Sequence, residues 1–245
     1  MSSPLKIVPR PTSIALKHYF HQHDISLPQE FWDDALTLLA QVIMEIEVSQ
    51  LIEASRYERK GARRAYRNGY RDSAWLVNDR LIPLRIPKLR SGTYYPSFLD
   101  APFAEKILSE LILKSYLEST NFEQITHTLN LLNISAHKSQ IANLEEALYD
   151  LIQQYQDRDI DSHDIHLDIV PVDDKGRDRY LALAFDENEL FQHEITSEAD
   201  DEFWQDFVRR LDGRAVHGVE YVAVSRVHTV VRYTQNSSPN MALVA

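Results

Sequence analysis

The chain contains no cysteine. Disulfides and thiolate zinc sites are therefore excluded, and a reducing cytosol is a compatible setting. Glycine is scarce, at six residues beside ten prolines, which argues against low complexity and against a long flexible linker. No apolar run approaches the ~18 residues that cross a bilayer, so no membrane partner is expected. Met1 to Thr12 lacks the apolar core of a secretory signal, which predicts a cytoplasmic protein. Hydrophobic residues, by contrast, make up 44% of 245 residues, enough for a packed core in one or two domains, more if some are small.

Acids are also lacking in one place. The chain is acidic overall, at −11, which argues at first against a nucleic-acid partner. Yet Arg56 to Arg90 holds eleven basic residues and three acids, a net charge of +8. One strongly basic segment inside an acidic protein says more about partners than the total does.

Residues 29–53 carry apolar positions Phe31, Ala35, Leu38, Leu39, Val42 and Ile46 at helical spacing, with Glu45 and Glu47 turned elsewhere. That pattern reads as core packing or a dimer seam. In the basic segment, Arg63-Arg64-Ala65-Tyr66-Arg67-Asn68-Gly69-Tyr70-Arg71 interleaves cations with tyrosines, and Asn68-Gly69 predicts a turn. Trp75–Val77 and Leu81–Ile86 read as two short strands joined at Asn78-Asp79, with Pro83 and Pro87 confining the second to an edge. Arginines contact phosphates and tyrosines stack on sugars or bases. The DNA-binding candidates here are Arg56, Arg59, Lys60, Arg63, Arg64, Tyr66, Arg67, Tyr70, Arg71, Arg85, Lys88 and Arg90. The bland alternative is a solvated charged face.

Residues 101–156 read as three helices: Phe103–Leu117, Asn121–Leu132 capped by Thr120 or Asn121, and a third from a Ser135 cap through Leu151. The short link Asn133-Ile134 suits a helix-turn-helix, whose second helix turns its N-terminal residues to DNA. Those residues are Ala136, His137, Lys138, Ser139 and Gln140, all but Ala136 able to donate hydrogen bonds. Plain helical packing explains the same pattern.

From Ile160 the character changes. His163–Val172, Arg179–Phe185 and Leu190–Ile195 read as an antiparallel meander with turns at 173–176 and 186–189. A helix Ala199–Leu211 and a strand Val219–Ser225 follow. This β-β-β-α-β order is that of a ribonuclease-H-like core, in which carboxylates hold two divalent metals. Asp168 on the first strand is the candidate catalytic and metal-binding acid. Strand alternation puts Asp164 and His166 on its face, an arrangement that would suit a different metal site. Thr229 to Ala245 has no periodicity and predicts an irregular tail.

Taken together, certain motifs resemble the Mutator-type bacterial insertion-sequence transposases. They are Glu53-Ala54-Ser55-Arg56-Tyr57-Glu58-Arg59, Tyr66-Arg67-Asn68-Gly69-Tyr70-Arg71, Leu84-Arg85-Ile86-Pro87-Lys88-Leu89-Arg90-Ser91-Gly92 and Tyr95-Pro96-Ser97-Phe98-Leu99. Leu167-Asp168 is similar to the family's first catalytic aspartate, and Phe203-Trp204, Phe207, Gly218-Val219 and Val224-Ser225 to its helix and fourth strand. The resemblance covers roughly residues 35–225. It implies cut-and-paste or copy transposition of DNA with magnesium (or manganese), by a multimer assembled on the element ends. After Val224-Ser225 the family has its second aspartate; this chain has Arg226, followed by His228 where the family has a histidine. The downstream Cys-x-x-His pair, helical insertion and catalytic glutamate are not found. Asp168 alone carries over, and an arginine at a metal pocket repels divalent cations.

The expected architecture is α+β and multidomain, an N-terminal helical DNA-binding region with a helix-turn-helix followed by an incomplete ribonuclease-H-like α/β core. Its divisions are an N-terminal helical region (1–52), a basic DNA-binding segment (53–100), the helix-turn-helix (101–157), the partial catalytic domain (158–228) and the tail (229–245). The expected function is DNA transposition of an insertion sequence through double-stranded DNA at the terminal inverted repeats. This copy is read as truncated, by a frameshift near codon 226, and as catalytically inactive by itself. The competing readings are a non-catalytic DNA-binding regulator acting on a full-length transposase, and an inert gene remnant. A homo-oligomer and a cytoplasmic, nucleoid-associated setting complete the expectations.

Overall fold

The structure is a computed structural model that describes residues 10–52, 67–101, 103–118, 121–187, 189–223, 230–232 and 240–242. In chain order the first elements are β1 (Arg10–Pro11), α1 (Thr12–His23), α2 (Gln29–Leu51), β2 (Arg67–Val77) and β3 (Arg80–Leu89). A single 3-10 turn (Ser97–Asp100) leads to α3 (Ala104–Glu118), α4 (Phe122–Leu131) and α5 (Lys138–Gln156). Then come β4 (Asp164–Asp174), β5 (Arg177–Phe185), β6 (Leu190–Thr196), α6 (Asp201–Asp212), β7 (Glu220–Ala223), β8 (Val230–Arg232) and β9 (Asn240–Ala242). The protein is α+β, and it divides into two units, Gln29–Ile152 and Met1–Pro28 with Gln153–Ala245.

The first of these units is built on α2. Its apolar repeat buries Phe31, Ala35, Leu39 and Ile46 as the periodicity predicts, while Leu38 and Val42 are half-buried and Ile43, off the predicted list, is buried. The Phe31 ring meets Tyr116 of α3 edge-on at 5.1 Å. Strands β2 and β3 pair antiparallel through Asn78 and Asp79, whose φ angles of 45° and 62° are those of a two-residue hairpin turn. Ile82, Leu84 and Ile86 alternate inward and are buried. Asn68-Gly69 makes no reversal. It forms a bulge inside β2, where the register shifts between Arg67 and Tyr70 and Gly69 takes φ +79°. Helix α4 opens on a capping box, with Asn121 accepting from the Gln124 N–H and Gln124 accepting from the Asn121 N–H. Helix α5 starts at Lys138, so Ser135 is not its cap and the connector runs over 132–137, with Leu132 and Ile134 buried.

In the other unit the meander β4-β5-β6 is antiparallel throughout, and β7 returns parallel to β4. Lys175 (φ 55°) and Gly176 (φ +81°) make the tight β4–β5 reversal. Along its second edge β4 takes β7 at 164–167 and β1 at 172–173. Helix α6 begins on Asp200, whose carboxylate accepts from the Phe203 N–H at 2.9 Å. Acids in its first turn and Arg209 and Arg210 in its last complement the helix dipole. Its apolar face, Trp204, Phe207, Val208 and Leu211, packs on Ile165, Leu167, Ala182 and Ala184. The opposite sheet face carries His166, Asp168 and Phe185 and receives α1, where Leu16 and Tyr19 are buried. The helix over 12–23 falls within the expected N-terminal helical region, whereas a strand in the sheet from residues 10–11 is not anticipated by the sequence pattern. Of the tail, the described residues 230–232 and 240–242 pair antiparallel as β8 and β9, and the rest of the segment expected to be irregular lies outside the described residues.

Candidate active site and nucleic-acid interface

Asp168 lies in the middle of β4, opposite Leu183 of β5, and is 3% exposed. A buried carboxylate needs donors. Asp168 finds them in the Tyr19 hydroxyl, 2.5 Å from Oδ2, and in the Ile169 backbone N–H, 2.7 Å from Oδ1. The Tyr19 ring is fixed in turn against Phe185, edge-on at 5.8 Å. Burial pushes the Tyr19 hydroxyl's pKa well above its ordinary value, and the hydrogen bond and charge of Asp168 push the same way. The hydroxyl therefore stays a proton donor at any physiological pH.

A divalent metal of the kind such cores use requires several oxygen ligands converging on one point. Both oxygens of Asp168 face protein donors, and among the described residues no group of three His, Asp or Glu side chains is placed to hold a metal ion. The Asp164-His166-Asp168 alternative fails for the same reason. Along a strand, alternate side chains stand about 6.6 Å apart, and these three do not converge. Asp164 is exposed, whereas His166 stacks on Phe185 at 5.6 Å. Among the described residues, the ligands for a divalent metal are not assembled around Asp168. Arg226 lies outside the described residues.

Arg56, Arg59, Lys60, Arg63, Arg64 and Tyr66 also lie outside the described residues. The remaining DNA-binding candidates sort by what they touch. Arg67 donates to the Ser49 hydroxyl at 2.9 Å and pairs with Glu45 at 3.6 Å. Tyr70 donates to Glu45 Oε1 at 2.7 Å. These side chains fasten the hairpin to α2. Arg71 is exposed and reaches the Tyr94 carbonyl at 3.3 Å. Arg85 is exposed and lies over the Tyr70 ring, 5.0 Å from its centroid. Lys88 and Arg90 are exposed on the same arm. At the start of α5, His137, Lys138 and Ser139 are exposed, while Gln140 Oε1 accepts from the His137 N–H at 2.9 Å and so closes the helix end.

Glu45 and Glu47 of α2 are anchors that sequence reasoning passed over. Glu47 accepts from the Tyr94 hydroxyl at 2.5 Å and from the Ser97 N–H at 3.2 Å, and burial pushes the Tyr94 hydroxyl's pKa far up. Two acids set off the apolar stripe, ahead of a tyrosine- and arginine-rich hairpin, were the available signal. Tyr19 had a weaker one, since Ala15, Leu16 and Tyr19 recur at helical spacing after Pro11-Thr12.

Comparison with known proteins gives the setting. The family described as Transposase, Mutator family, matches residues 12–243. The match runs past Arg226, beyond the Ser225 limit read from the motifs. The transposase for insertion sequence element IS256 in transposon Tn4001 of Staphylococcus aureus is 23% identical over 219 residues, covering 84% of this chain and 56% of that protein. The transposase for insertion sequence element IS1081 of Mycobacterium tuberculosis is 28% identical over 204 residues, covering 76% and 49%. The transposase for insertion sequence element IS406 of Burkholderia multivorans is 24% identical over 129 residues, covering 51% and 33%. The chain spans about half the length of the first two relatives. No helix among the described residues is long and apolar enough to cross a membrane. With a family match over nearly its whole length, the chain belongs to the Mutator family of transposases.

Proposed function

We propose that this chain binds double-stranded DNA at the ends of an insertion sequence, and that its own residues hold that DNA without cutting it. The observation that carries the reading is the β2–β3 arm. Its inner cation and tyrosine are spent on α2, which makes the arm stiff, and its exposed cations Arg85, Lys88 and Arg90 are presented on one rigid support. The exposed His137, Lys138 and Ser139 at the start of α5 form a second contact region, in the manner of a helix-turn-helix with a long connector. Strand order β6-β5-β4-β7, with β4 and β7 parallel, supports a ribonuclease-H-like core as the scaffold of Asp168. Asp168 is similar to the first catalytic aspartate of the family. Its tie to Tyr19 favours occupancy of element ends over magnesium-dependent strand transfer, so the chain competes with, or joins, an active transposase there.

The test is fluorescence anisotropy with a duplex carrying an element's terminal inverted repeat, titrated across salt concentrations in EDTA. Binding is expected without a divalent metal. Replacing Arg85, Lys88 and Arg90 together by Gln is expected to flatten the dependence of log K on log salt by about 0.9 for each phosphate that is no longer neutralised. An unchanged slope in that variant would sink the assignment of the arm. Strand transfer by the chain with magnesium would sink the non-cutting reading.

A further inference from the structure

The α2-based unit holds an aromatic cleft that the proposed duplex-binding surface does not use. It is an open depression of about 390 Å³, lined by Trp75, Leu99, Ala101, Phe103, Glu105 and Lys106. Trp75 is half-buried, one ring edge held against the fully buried Phe98 at 5.5 Å. Phe103 is the unusual member. Its φ of 63° is in the left-handed region, which bulky side chains rarely adopt, and it exposes 75% of its surface. Its carbonyl accepts the Ile107 N–H at 2.9 Å, so the first turn of α3 fixes this conformation. Strained backbone of this kind clusters at ligand-binding positions, and here it carries an exposed aromatic ring. The hairpin turn is tied to the same helix end, because the Asn78 amide donates to Glu105.

We propose that this cleft takes an unpaired nucleobase, stacked against Phe103 and Trp75, from DNA whose backbone follows the β2–β3 arm. Charge complementarity selects this occupant. With Arg67 and Arg80 paired to Glu45 and Asp33, the arm still exposes Arg71, Arg85, Lys88 and Arg90 against Asp72 and Asp79, and Lys106 stands beside Glu105 at the mouth. A phosphate chain is attracted there, whereas a purely apolar peptide side chain gains nothing from the charged rim. Glu105 can accept from an exocyclic amine on a base edge. Stacking on aromatic faces is tolerant of sequence, and it acts on single-stranded or frayed ends rather than on paired DNA.

The proposal rests on the DNA-binding function proposed for the arm, and the experiment separates the two. The full chain is titrated with a blunt duplex and with the same duplex carrying a short single-stranded overhang that contains a fluorescent adenine analogue. The overhang is expected to bind about tenfold more tightly and to quench the analogue on stacking. Phe103→Ala, at an exposed site, is expected to abolish that preference and the quenching while leaving blunt-duplex affinity unchanged. Trp75→Phe, which keeps the packing on Phe98, is expected to reduce both partly. Equal affinity for the two duplexes in the native chain overturns the proposal while the duplex-binding reading stands, as does a preference that survives Phe103→Ala. Loss of all DNA binding in the native chain overturns both. Concentration-dependent self-association abolished by Phe103→Ala, with no overhang preference, makes the cleft a contact between copies and overturns the nucleobase assignment.

Discussion

Removing one hydroxyl tests whether Asp168 is held by α1. In Tyr19→Phe the ring stays against Phe185, but Asp168 Oδ2 loses a donor at 2.5 Å. Asp168 is 3% exposed and Tyr19 6%, so water does not readily replace that donor. A hydrogen bond to a charged group is worth about 1.5–3 kcal/mol, and a buried carboxylate left short of partners stands at the upper part of that range. Tyr19→Phe is therefore expected to lower unfolding stability by about 2–3 kcal/mol. Asp168→Asn keeps an acceptor oxygen but removes the charge, and the bond that remains is worth about 1 kcal/mol. The two changes share one interaction, so their effects are not additive, and a double-mutant cycle in urea is expected to give a coupling of about 1.5 kcal/mol. Addition of magnesium or manganese to the native chain is expected to leave the unfolding midpoint in place, because among the described residues the ligand set for a divalent ion is not assembled around Asp168. Additive single effects would refute the Tyr19–Asp168 tie. A metal-dependent rise in stability that vanishes in Asp168→Asn would refute the argument that these residues do not fit a metal.

The same unfolding assay reaches the other interactions. Glu45→Ala removes the acceptor of Tyr70 and the ion-pair partner of Arg67, both largely screened from water, and is expected to lower stability by about 1.5–3 kcal/mol. Asp33→Asn breaks the 2.7 Å pair with Arg80, but with side chains 38% and 30% exposed that effect is expected to stay below about 1 kcal/mol. If the two cost the same, the assignment of Glu45 as the hairpin's anchor is wrong. Asp79→Gly places the residue without a β-carbon at φ 62°, completing an Asn-Gly turn, and is expected to raise the urea midpoint by the equivalent of about 0.5–1 kcal/mol. Tyr19 and Tyr94 hold their protons in the folded state well above the ordinary pKa of 10.0 that they regain on unfolding. Their contribution is present below that pH and is lost as pH rises above it. Tyr19→Phe is expected to make the alkaline decline in stability shallower, measured as urea midpoint against pH.

What could be read from the sequence is local. The α2 stripe, the Asn121 cap, the Asn78-Asp79 turn and the β-β-β-α-β order each leave a mark within a few residues, because helical or strand periodicity and turn chemistry are properties of neighbours. Asn68-Gly69 shows the limit of that kind of evidence. The same dipeptide that closes a hairpin also makes a bulge, and the choice between them depended on strand pairing further along, at Asn78. The α4–α5 connector shows it again, since Leu132 and Ile134 are drawn into the core and the helix restarts only at Lys138.

The candidate site residues were hidden for a different reason. Arg67, Tyr70, Arg85, Lys88 and Arg90 look alike as members of a basic stretch. The first two are tied to α2 because Glu45, well back along the chain, lies within their reach, whereas Arg85, Lys88 and Arg90 are exposed. Tyr19 and Asp168 are 149 residues apart, and no spacing rule connects them. A family motif identifies Asp168 as an acid in the right place on a strand, but it cannot say what the acid touches. Here it touches a tyrosine from the opposite end of the chain. A carboxylate in that position fastens α1 to the sheet, and any ion that bound it would share it with that hydroxyl.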